Sequence, residues 1–426
     1  MEGYLKRIAD NVLMEKLSLV GAVLVEGPKW CGKSTTAEEF AKTVIYMQDP
    51  EKRDQYKALA KNAPSKFLTG ETPVLIDEWQ IIPFIWDAIR FEIDKRKSTG
   101  QFILTGSTTP VDKSQISHTG TGRISRITMR PMSLFESKDS NGNISLKKLF
   151  ELNGDDYSVS DKVQKDIDDV AFVTCRGGWP SACVKNDQDS LKLVFEYYNG
   201  LINSDMTKVD NVERDPRKVD LLLKSYSRNI STECSNETIK DDMSKFEDKS
   251  LSTQTITNYI DALKKIFVVE ELEAWNPNLR SKTAIRTSNT RHFVDPSIAI
   301  ASMMIGPNDL INDFKYFGFL FEDLCVRDIR IYSELIDAKV YHYRDKSDLE
   351  CDAVIHRRNG DYALVEIKLY SDEGIEEGAE NLKKLRNKIN TDKMKEPKFM
   401  AVLTGSPFSY RRDDGIYVIS IFSFGP

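Results

Sequence analysis

Short apolar runs that end in glycine, acidic or hydroxyl residues recur in the first third of the chain. Residues 21–26 (GAVLVE) form a valine-rich run typical of a buried parallel strand, and residues 33–44 (KSTTAEEFAKTV) follow with helical spacing. Further apolar runs lie in residues 72–80 (TPVLIDEWQ) and 101–110 (QFILTGSTTP). The pattern predicts an α/β domain built on a parallel sheet, with polar residues at the ends of its strands.

The middle of the chain has helical and then extended spacing. Segments 220–230, 235–246 and 251–266 predict three helices, and residues 267–275 (FVVEELEAW) predict a strand. Three helices followed by a strand are typical of a winged helix-turn-helix, whose third helix would face a DNA groove. Residues 224–275 hold 7 Lys/Arg and 10 Asp/Glu. A packing or hinge role is therefore the alternative to DNA binding, because phosphate contacts dominate DNA affinity.

The chain near its carboxyl end predicts a β-hairpin. Residues 351–357 (CDAVIHR) and 362–370 (YALVEIKLY) have strand character on either side of an Asn-Gly turn. A period of two places Glu366 and Lys368 on one face, and antiparallel pairing would bring Asp352 beside Glu366. Two carboxylates and an amine are suited to a hard cation and to a lysine that orients or activates water. An exposed ion pair of Glu366 and Lys368 is the alternative.

Residues 27–36 (GPKWCGKSTT) have the spacing of a phosphate-binding loop, with glycine, four residues and then Gly-Lys-Ser. A strand, a glycine-bounded loop and a helix place backbone N–H groups and a helix N-terminus around a phosphate. The lysine would reach the β- and γ-phosphate oxygens, and the serine hydroxyl would ligate Mg²⁺. A chance match in a turn is the alternative. The residues predicted to bind the nucleotide are Gly27, Pro28, Lys29, Cys31, Gly32, Lys33, Ser34 and Thr35, with Lys33 also catalytic and Ser34 also a metal ligand.

The acidic pair Asp77-Glu78 ends the apolar run of residues 72–80. A carboxylate at the end of a neighbouring strand can hold Mg²⁺, and an adjacent glutamate can orient and activate the attacking water. We therefore predict that Asp77 binds the nucleotide and its metal ion and that Glu78 is catalytic. Capping of the next segment is the alternative. Ser107, which follows the next apolar run, is predicted to contact the γ-phosphate, with ordinary turn chemistry as the alternative.

The order of these motifs resembles the AAA+ class of P-loop ATPases. Residues 118–136 (HTGTGRISRITMRPMSLFE) and 175–183 (CRGGWPSAC) look like segments of a broad prokaryotic group of predicted ATPases, the second being the signature of a small helical lid. The resemblance implies ATP hydrolysis and an arginine that stabilises γ-phosphate charge, often from a neighbouring subunit. Arg123 is the candidate for this catalytic arginine, and Arg126 and Arg130 are expected to be structural instead.

The carboxyl-terminal hairpin and its flanks resemble the PD-(D/E)xK nuclease fold. A helix is predicted before it at 317–332, and a helix at 374–389 and a strand at 398–406 are predicted after it. Cys351 stands where the fold commonly has proline, and the fold includes members that do not cut. The residues that the resemblance implies as metal ligands and catalytic lysine are Glu322, Asp352, Glu366 and Lys368.

Nearly the whole chain resembles a prokaryotic and archaeal group in which an AAA+ module is fused to a carboxyl-terminal domain of unknown function. The resemblance implies an ATPase core at 1–137, a helical lid at 138–216, a winged helix-turn-helix at 217–300 and an α/β restriction-endonuclease-like domain at 301–426. The implied function is ATP hydrolysis with Mg²⁺, coupled to nucleic-acid binding or metal-dependent cleavage. The alternative is an ATP-driven conformational switch whose tail binds a protein or nucleic acid without cutting.

Composition sets the expected location and partners. The 426 residues carry a formal net charge of −6, which argues against a broadly basic nucleic-acid coat but leaves room for a local groove. No apolar run approaches the roughly 18 residues of a membrane helix, and the start lacks the apolar stretch of a secretory signal. The six cysteines form no CxxC pair. We expect a cytoplasmic protein without membrane contact, with DNA or RNA and further copies of the chain as candidate partners.

Overall fold

The computed structural model describes residues 3–108, 119–151, 159–185, 187–206, 209–210, 212–246, 252–277 and 285–426. The chain divides into two compact units. Unit 1 comprises Met1–Pro131, Ser204–Arg214 and Asp261–Val268, and unit 2 comprises Met132–Asn203, Asp215–Ile260 and Val269–Pro426. Within the described ranges, no helix combines the length and the apolar character that a bilayer crossing requires. The predicted four-domain division stays a prediction.

Unit 1 contains a five-stranded parallel sheet. Its strands are β1 Ala22–Glu26, β2 Thr43–Tyr46, β3 Val74–Asp77, β4 Phe102–Gly106 and β5 Ile124–Thr128. They lie in the order β2-β3-β4-β1-β5, and every neighbouring pair is parallel. The predicted strands in residues 21–26, 72–80 and 101–110 are confirmed. Because β4 lies between β1 and β3, the segments that follow these three strands emerge side by side at one edge of the sheet.

Helices flank this sheet and complete an apolar core. The helices of the first 131 residues are Ile8–Leu19, Lys33–Phe40, Arg53–Asn62, Pro64–Phe67 and Ile85–Arg96, with a 3-10 turn at Trp79–Ile81. Trp79 and Trp86 lie in this core with their ring centres 4.9 Å apart. Their burial anchors the segment that follows β3, which is the segment that carries the acidic pair.

Unit 2 contains a seven-stranded mixed sheet. Its strands, in the order β7-β12-β13-β11-β10-β9-β8 across the sheet, are β7 Ser160–Lys162, β8 Ala338–Arg344, β9 Glu350–Arg357, β10 Tyr362–Lys368, β11 Met400–Thr404, β12 Phe408–Arg411 and β13 Tyr417–Ser420. A separate parallel pair joins β6 Ile144–Ser145 to β14 Phe424–Gly425. The predicted hairpin is confirmed, since β9 and β10 are antiparallel around Gly360, whose φ is +83°.

The remaining helices of the described residues lie between residues 146 and 388. They are Leu146–Glu151, Ile167–Arg176, Pro180–Cys183, Asp187–Gly200, Pro216–Arg228, Asn236–Met243, Thr253–Lys265, Ser297–Met303, Pro307–Asn312, Phe314–Ser333 and Asp372–Lys388, with a π-helical turn at Leu201–Asp205 and a 3-10 turn at Glu334–Ile336. The predicted helices at 317–332 and 374–389 and the strand at 398–406 are thus present. Their order around the hairpin is the predicted one, while the restriction-endonuclease-like assignment stays a prediction.

The strand predicted at 267–275 is wrong. Phe267 adopts a left-handed backbone with φ of +59°, directly after the helix Thr253–Lys265. Beyond it the chain makes only isolated bridges, which pair Val269 with Phe293, Leu272 with Thr290 and Ala274 with His342. The first two bridges share one antiparallel register with residues 290–293 and the third joins β8, so the pairing consists of isolated bridges and not of a continuous strand. The three predicted helices are present, and the winged helix-turn-helix stays a prediction.

Candidate functional site

Two glycines shape the loop between β1 and the helix Lys33–Phe40. The backbone φ is +155° at Gly27 and +97° at Gly32, values that side chains rarely allow. A Cβ on Gly27 would lie 2.0 Å from the carbonyl oxygen of Met129, so only glycine fits there. Gly32 immediately precedes the first turn of the helix. The first N–H groups of a helix lack intrahelical acceptors, which makes this loop suited to binding phosphate.

Lys33, Ser34 and Asp77 lie together beside this loop. Lys33 is buried, and its Nζ donates to the carbonyl oxygen of Pro28 at 2.7 Å. Ser34 Oγ donates to Asp77 Oδ1 at 2.5 Å, and Thr105 Oγ1 donates to the same oxygen at 2.7 Å. Hydroxyl and carboxylate oxygens are the ligands that Mg²⁺ prefers. Ser34 and Asp77 therefore fit such an ion.

Glu78 lies next to this group with its carboxylate held by hydrogen bonds. Its backbone is left-handed, with φ of +56°. Oε2 of Glu78 accepts hydrogen bonds from Ser107 Oγ at 3.1 Å and from Gln80 Nε2, and the Glu78 N–H donates to Thr105 Oγ1 at 3.1 Å. The structure thus brings Asp77, Glu78 and Ser107 together, as predicted from the ends of β3 and β4. The supporting roles of Gln80 and Thr105 were not predicted.

Arg7 is a further residue of this site that sequence reasoning missed. It is 6% exposed, and its guanidinium donates to the carbonyl oxygen of Cys31 at 2.7 Å and to that of Arg130 at 2.8 Å. These bonds tie the phosphate-binding loop to the segment after β5. A charged residue in the amino-terminal segment carries no motif, so the only signal in the sequence was its place just before the helix Ile8–Leu19.

The other residues predicted to bind the nucleotide have diverse surroundings. Cys31 is fully buried and its Sγ donates to the Met129 carbonyl oxygen at 3.4 Å. Lys29 forms an ion pair with Asp205, and Thr35 is exposed. The buried thiol supports the loop from beneath, whereas Lys29 and Thr35 have accessible side chains. Nucleotide contact by these three residues stays a prediction.

Arg123 and Arg126, which lie just before and within β5, are paired with acids. Arg123 Nε lies 2.9 Å from Asp94 Oδ1, and Arg126 Nη1 lies 3.0 Å from Glu26 Oε2. Burial raises the pKa of the Glu26 carboxyl, and the guanidinium of Arg126 opposes this shift. Arg126 thereby has a structural partner at the end of β1. The catalytic role of Arg123 stays a prediction.

A second cluster of charged groups lies in unit 2 on strands β9 and β10. The register pairs Val365 with Ala353, and one residue further along it places Asp352 opposite Glu366. Asp352 Oδ2 accepts a hydrogen bond from the Ile367 N–H at 2.7 Å. Glu366 is fully buried, and Lys368 Nζ lies 3.2 Å from its Oε2. The prediction that Glu366 and Lys368 share a face is confirmed by this contact.

The charged groups of this cluster have pKa values that differ from their usual ones. Burial raises the pKa of Asp352 to about 6, with the charge of Lys368 opposing the shift. Burial and then the charge of Asp352 raise the pKa of Glu366, and the same two causes raise that of Glu322. Burial lowers the pKa of Lys368, but the neighbouring carboxylates outweigh it and raise the pKa above its usual value. Glu322 is therefore electrostatically close to Asp352.

The side chains of this cluster pack against the helix Asp372–Lys388. A Cβ on Gly378 of this helix would lie 3.2 Å from Glu366 Cβ and 3.5 Å from Lys368 Cε. The glycine therefore allows the helix to approach the charged pair closely. In the described part of the chain, no three His, Cys, Asp or Glu side chains are placed to hold a metal ion. The cation site at Glu322, Asp352 and Glu366 stays a prediction.

The glycine pair of residues 175–183 lies against other parts of unit 2. A Cβ on Gly178 would be 2.0 Å from the Met132 carbonyl oxygen, and one on Gly177 would be 2.5 Å from Asp295 Oδ1. The Gly178 N–H donates to Asp295 Oδ2 at 2.9 Å. Close backbone packing within unit 2 therefore explains both glycines. Their predicted role in a lid over the nucleotide stays a prediction.

Comparison with known proteins places these sites in matched segments. Residues 20–138 match the AAA domain, residues 167–309 match a domain of unknown function (DUF8612) and residues 317–424 match a domain of unknown function (DUF4143). The Walker-type ATPase PABY2304 of Pyrococcus abyssi is similar at 16% identity and a TM-score of 0.43, over 70% of this chain and 96% of that one. No curated protein matches the chain. The match to the AAA domain encloses the loop, Asp77 and Glu78, which supports a P-loop ATPase for this part of the chain.

Proposed function

We propose that the protein binds ATP with Mg²⁺ and hydrolyses it at the site formed by the loop 27–34, Asp77 and Glu78. The observation that carries this proposal is the contact of Ser34 with Asp77 at 2.5 Å, beside a glycine-bounded loop. This contact supports the proposal, because Ser34 and Asp77 are the two oxygen ligands expected for Mg²⁺ and the triphosphate would lie beside them. Mg²⁺ bound there would neutralise charge on the phosphate oxygens.

Different residues of the site would bind the phosphates and activate the attacking water. The N–H groups of the loop and of the first helical turn would hold the β-phosphate, and Lys33 would exchange its bond to Pro28 for phosphate oxygens. Glu78, steadied by Ser107 and Gln80, would orient the attacking water and accept its proton. Ser107 lies beside Glu78, where its hydroxyl could also contact the γ-phosphate.

Assembly with a second copy of the chain is part of the proposal. An arginine that stabilises the γ-phosphate in this class of ATPase often comes from a neighbouring subunit. Arg123 supports this role through its position, since its partner Asp94 is partly exposed and their ion pair is open to solvent. Exposed ion pairs contribute little stability, so Arg123 could exchange Asp94 for a phosphate at small cost.

Substitution of Lys33 by alanine tests the nucleotide site. Loss of a charge-assisted contact to phosphate should raise the Kd for MgATP by about 10- to 100-fold. Isothermal titration calorimetry measures the Kd, and phosphate release measures turnover, which should also fall. Lys42→Ala, which removes an exposed lysine after the same helix, is the matched control and should behave as the parent. Unchanged affinity and turnover in Lys33→Ala would remove the proposed role of the loop.

We also propose that the carboxyl-terminal segment acts on nucleic acid, with ATP hydrolysis coupled to its binding. Metal-dependent cleavage is the second candidate function. The observation that favours it is the buried Glu366, which lies beside Lys368 and has Asp352 opposite it in register. Among the described residues, neither carboxylate oxygen of Glu366 has a hydrogen-bond donor of good geometry, although the Lys368 ammonium lies 3.2 Å from Oε2. Such a group is costly to bury unless a cation or a proton neutralises it.

Cleavage is tested with Mg²⁺ or Mn²⁺, ATP and mixed single- and double-stranded DNA and RNA. Asp352→Ala and Lys368→Ala should each reduce the cleavage rate about 100-fold or more, because they remove a ligand or a group that activates water. Lys339→Ala, at an exposed lysine of β8, is the control. Cleavage that persists in both site variants would exclude this cluster as the site of cleavage. No cleavage by the parent protein would favour the switch whose tail binds without cutting.

A further inference from the structure

Two exposed aromatic side chains stand on strand β12 of the seven-stranded sheet. Phe408 is 47% exposed and Tyr410 is 41% exposed, whereas Ser409 between them is 3% exposed. The period of two in a strand places both rings on one face, with their Cα atoms about 7 Å apart. Neighbouring rings that remain exposed on a sheet face indicate a surface that contacts a partner.

The strand register identifies this face. Tyr410 pairs with Val418 of β13, Val418 with Val402 of β11, and Val402 with Glu366 of β10. Residues in register across a sheet project to the same side. The aromatic pair therefore shares its face with Glu366, and three inter-strand steps of about 4.8 Å place the two about 14 Å apart.

The helix Asp372–Lys388 explains why the rings stay exposed. Its apolar side chains, such as Leu382, are buried in one core with Val402 and Val418. The helix thus covers the middle strands of this face, and β12 lies one strand farther out. Phe408 and Tyr410 form a strip beside the helix that the described residues leave exposed, on the same face as the charged cluster.

A cation completes this strip. Lys162 of β7 pairs in register with Phe408, and its Nζ lies 5.1 Å from the centre of the phenyl ring. Two acids near the end of β12, Glu376 and Asp414, are both paired with Arg412. The strip therefore combines two flat aromatic rings with a positive charge. This combination suits a polyanion that carries flat groups.

We propose that Phe408, Tyr410 and Lys162 form a stacking platform for single-stranded nucleic acid. Two successive bases would stack on the rings while Lys162 contacts the phosphate chain. Aromatic residues on an open sheet face bind unpaired bases in this way, because every base offers a flat π surface. A duplex keeps its bases stacked internally and gains no such contact. The inference rests on the proposed action on nucleic acid. It specifies that the nucleic acid is single-stranded and that it binds at β12.

The test is a cycle that removes the rings from the protein and the bases from the ligand. Fluorescence anisotropy would measure the Kd of the full-length protein for labelled oligodeoxythymidine of about 20 nucleotides, for oligouridine and for an abasic strand of equal length. Phe408→Ala/Tyr410→Ala should raise the Kd for the base-containing strands about 10- to 100-fold and leave that for the abasic strand unchanged. Phe408→Tyr/Tyr410→Phe, which keeps both rings, should bind as the parent does. Lys162→Gln should reduce the slope of log Kd against log salt concentration by about one for all strands, because it removes one contact to phosphate.

The controls separate the platform from the broader function. Phe314→Ala removes an exposed phenylalanine from a helix of the same unit and should not alter any Kd. Equal affinity of the parent and the double alanine variant for oligothymidine and oligouridine would overturn the platform while leaving the proposed function standing. A parent protein that binds the abasic strand as tightly as the others would also overturn it. Failure of the parent to bind any strand would remove both the platform and the proposed action on nucleic acid.

Discussion

Glu78→Gln is expected to lower the rate of ATP hydrolysis by about 10²- to 10⁴-fold, which is the usual contribution of a positioned general base. Affinity for MgATP should stay close to that of the parent, because glutamine has the same shape and Glu78 is not assigned to the metal ion. Oε2 of Glu78 accepts from Ser107 and Gln80, so a glutamine can keep part of this contact. The substitution therefore removes the proton acceptor with little change in geometry.

Single-turnover phosphate release and equilibrium binding of MgATP separate the two effects. Glu71→Gln, at an exposed glutamate before β3, is the matched control and should hydrolyse ATP at the parental rate. If the Glu78 variant retained the parental rate, the base would have to be sought elsewhere. If it lost MgATP affinity as well, Glu78 would belong to the binding site and not to the reaction alone.

The nucleotide site was predictable because its signals are local. Gly27 and Gly32 mark positive-φ positions within six residues, and Asp77-Glu78 stands at the end of a buried strand. Parallel strands then bring such ends together without further information. Arg7 was not predictable, since its acceptors on Cys31 and Arg130 are 24 and 123 residues away. Contacts at such separations depend on the finished packing, which no short pattern encodes.

The shared face of Glu366 and Lys368 could be predicted from the sequence, but the burial of Glu366 could not. A period of two gave the shared face of Glu366 and Lys368, whereas the complete burial of Glu366 depends on a helix that lies beyond the hairpin. The wing strand at 267–275 failed for the converse reason. Its apolar residues fit a strand, but Val269 and Leu272 form only isolated bridges to residues 290–293, and Ala274 then pairs with His342 of β8. Pattern thus identified the elements, and tertiary contacts decided their pairing and burial.

A buried charge network in unit 2 contacts the sequence motifs around Leu134 and Gly178, which lie outside the proposed nucleotide site. Arg327 is 2% exposed and lies in the helix Phe314–Ser333. Its guanidinium donates to Asp295 Oδ2 at 2.8 Å and to Asp328 Oδ1 at 2.7 Å. The Leu134 N–H donates to Asp328 Oδ2 at 2.9 Å. The network thereby connects four separate segments of unit 2, including the one that contains Gly178.

Arg327→Met is expected to destabilise unit 2 by about 3–5 kcal/mol, because it leaves two buried carboxylates without their counter-charge. For a unit of this size the midpoint of its thermal transition should fall by roughly 10 °C. Differential scanning calorimetry of the full chain, with and without MgATP, measures the shift. Lys315→Met, on an exposed part of the same helix, is the control and should leave the transition in place.

A second substitution distinguishes uncompensated charge from lost packing. In Arg327→Met/Asp328→Asn one of the two unpaired buried carboxylates is replaced by a neutral amide, whose oxygen can still accept from the Leu134 N–H. The double variant should therefore melt several degrees above Arg327→Met, even though it carries one more change. Additive loss in the double variant would show that Arg327 stabilises unit 2 through the volume of its side chain. Recovery would show that the network is maintained by charge balance, which explains why an arginine occupies so deeply buried a position.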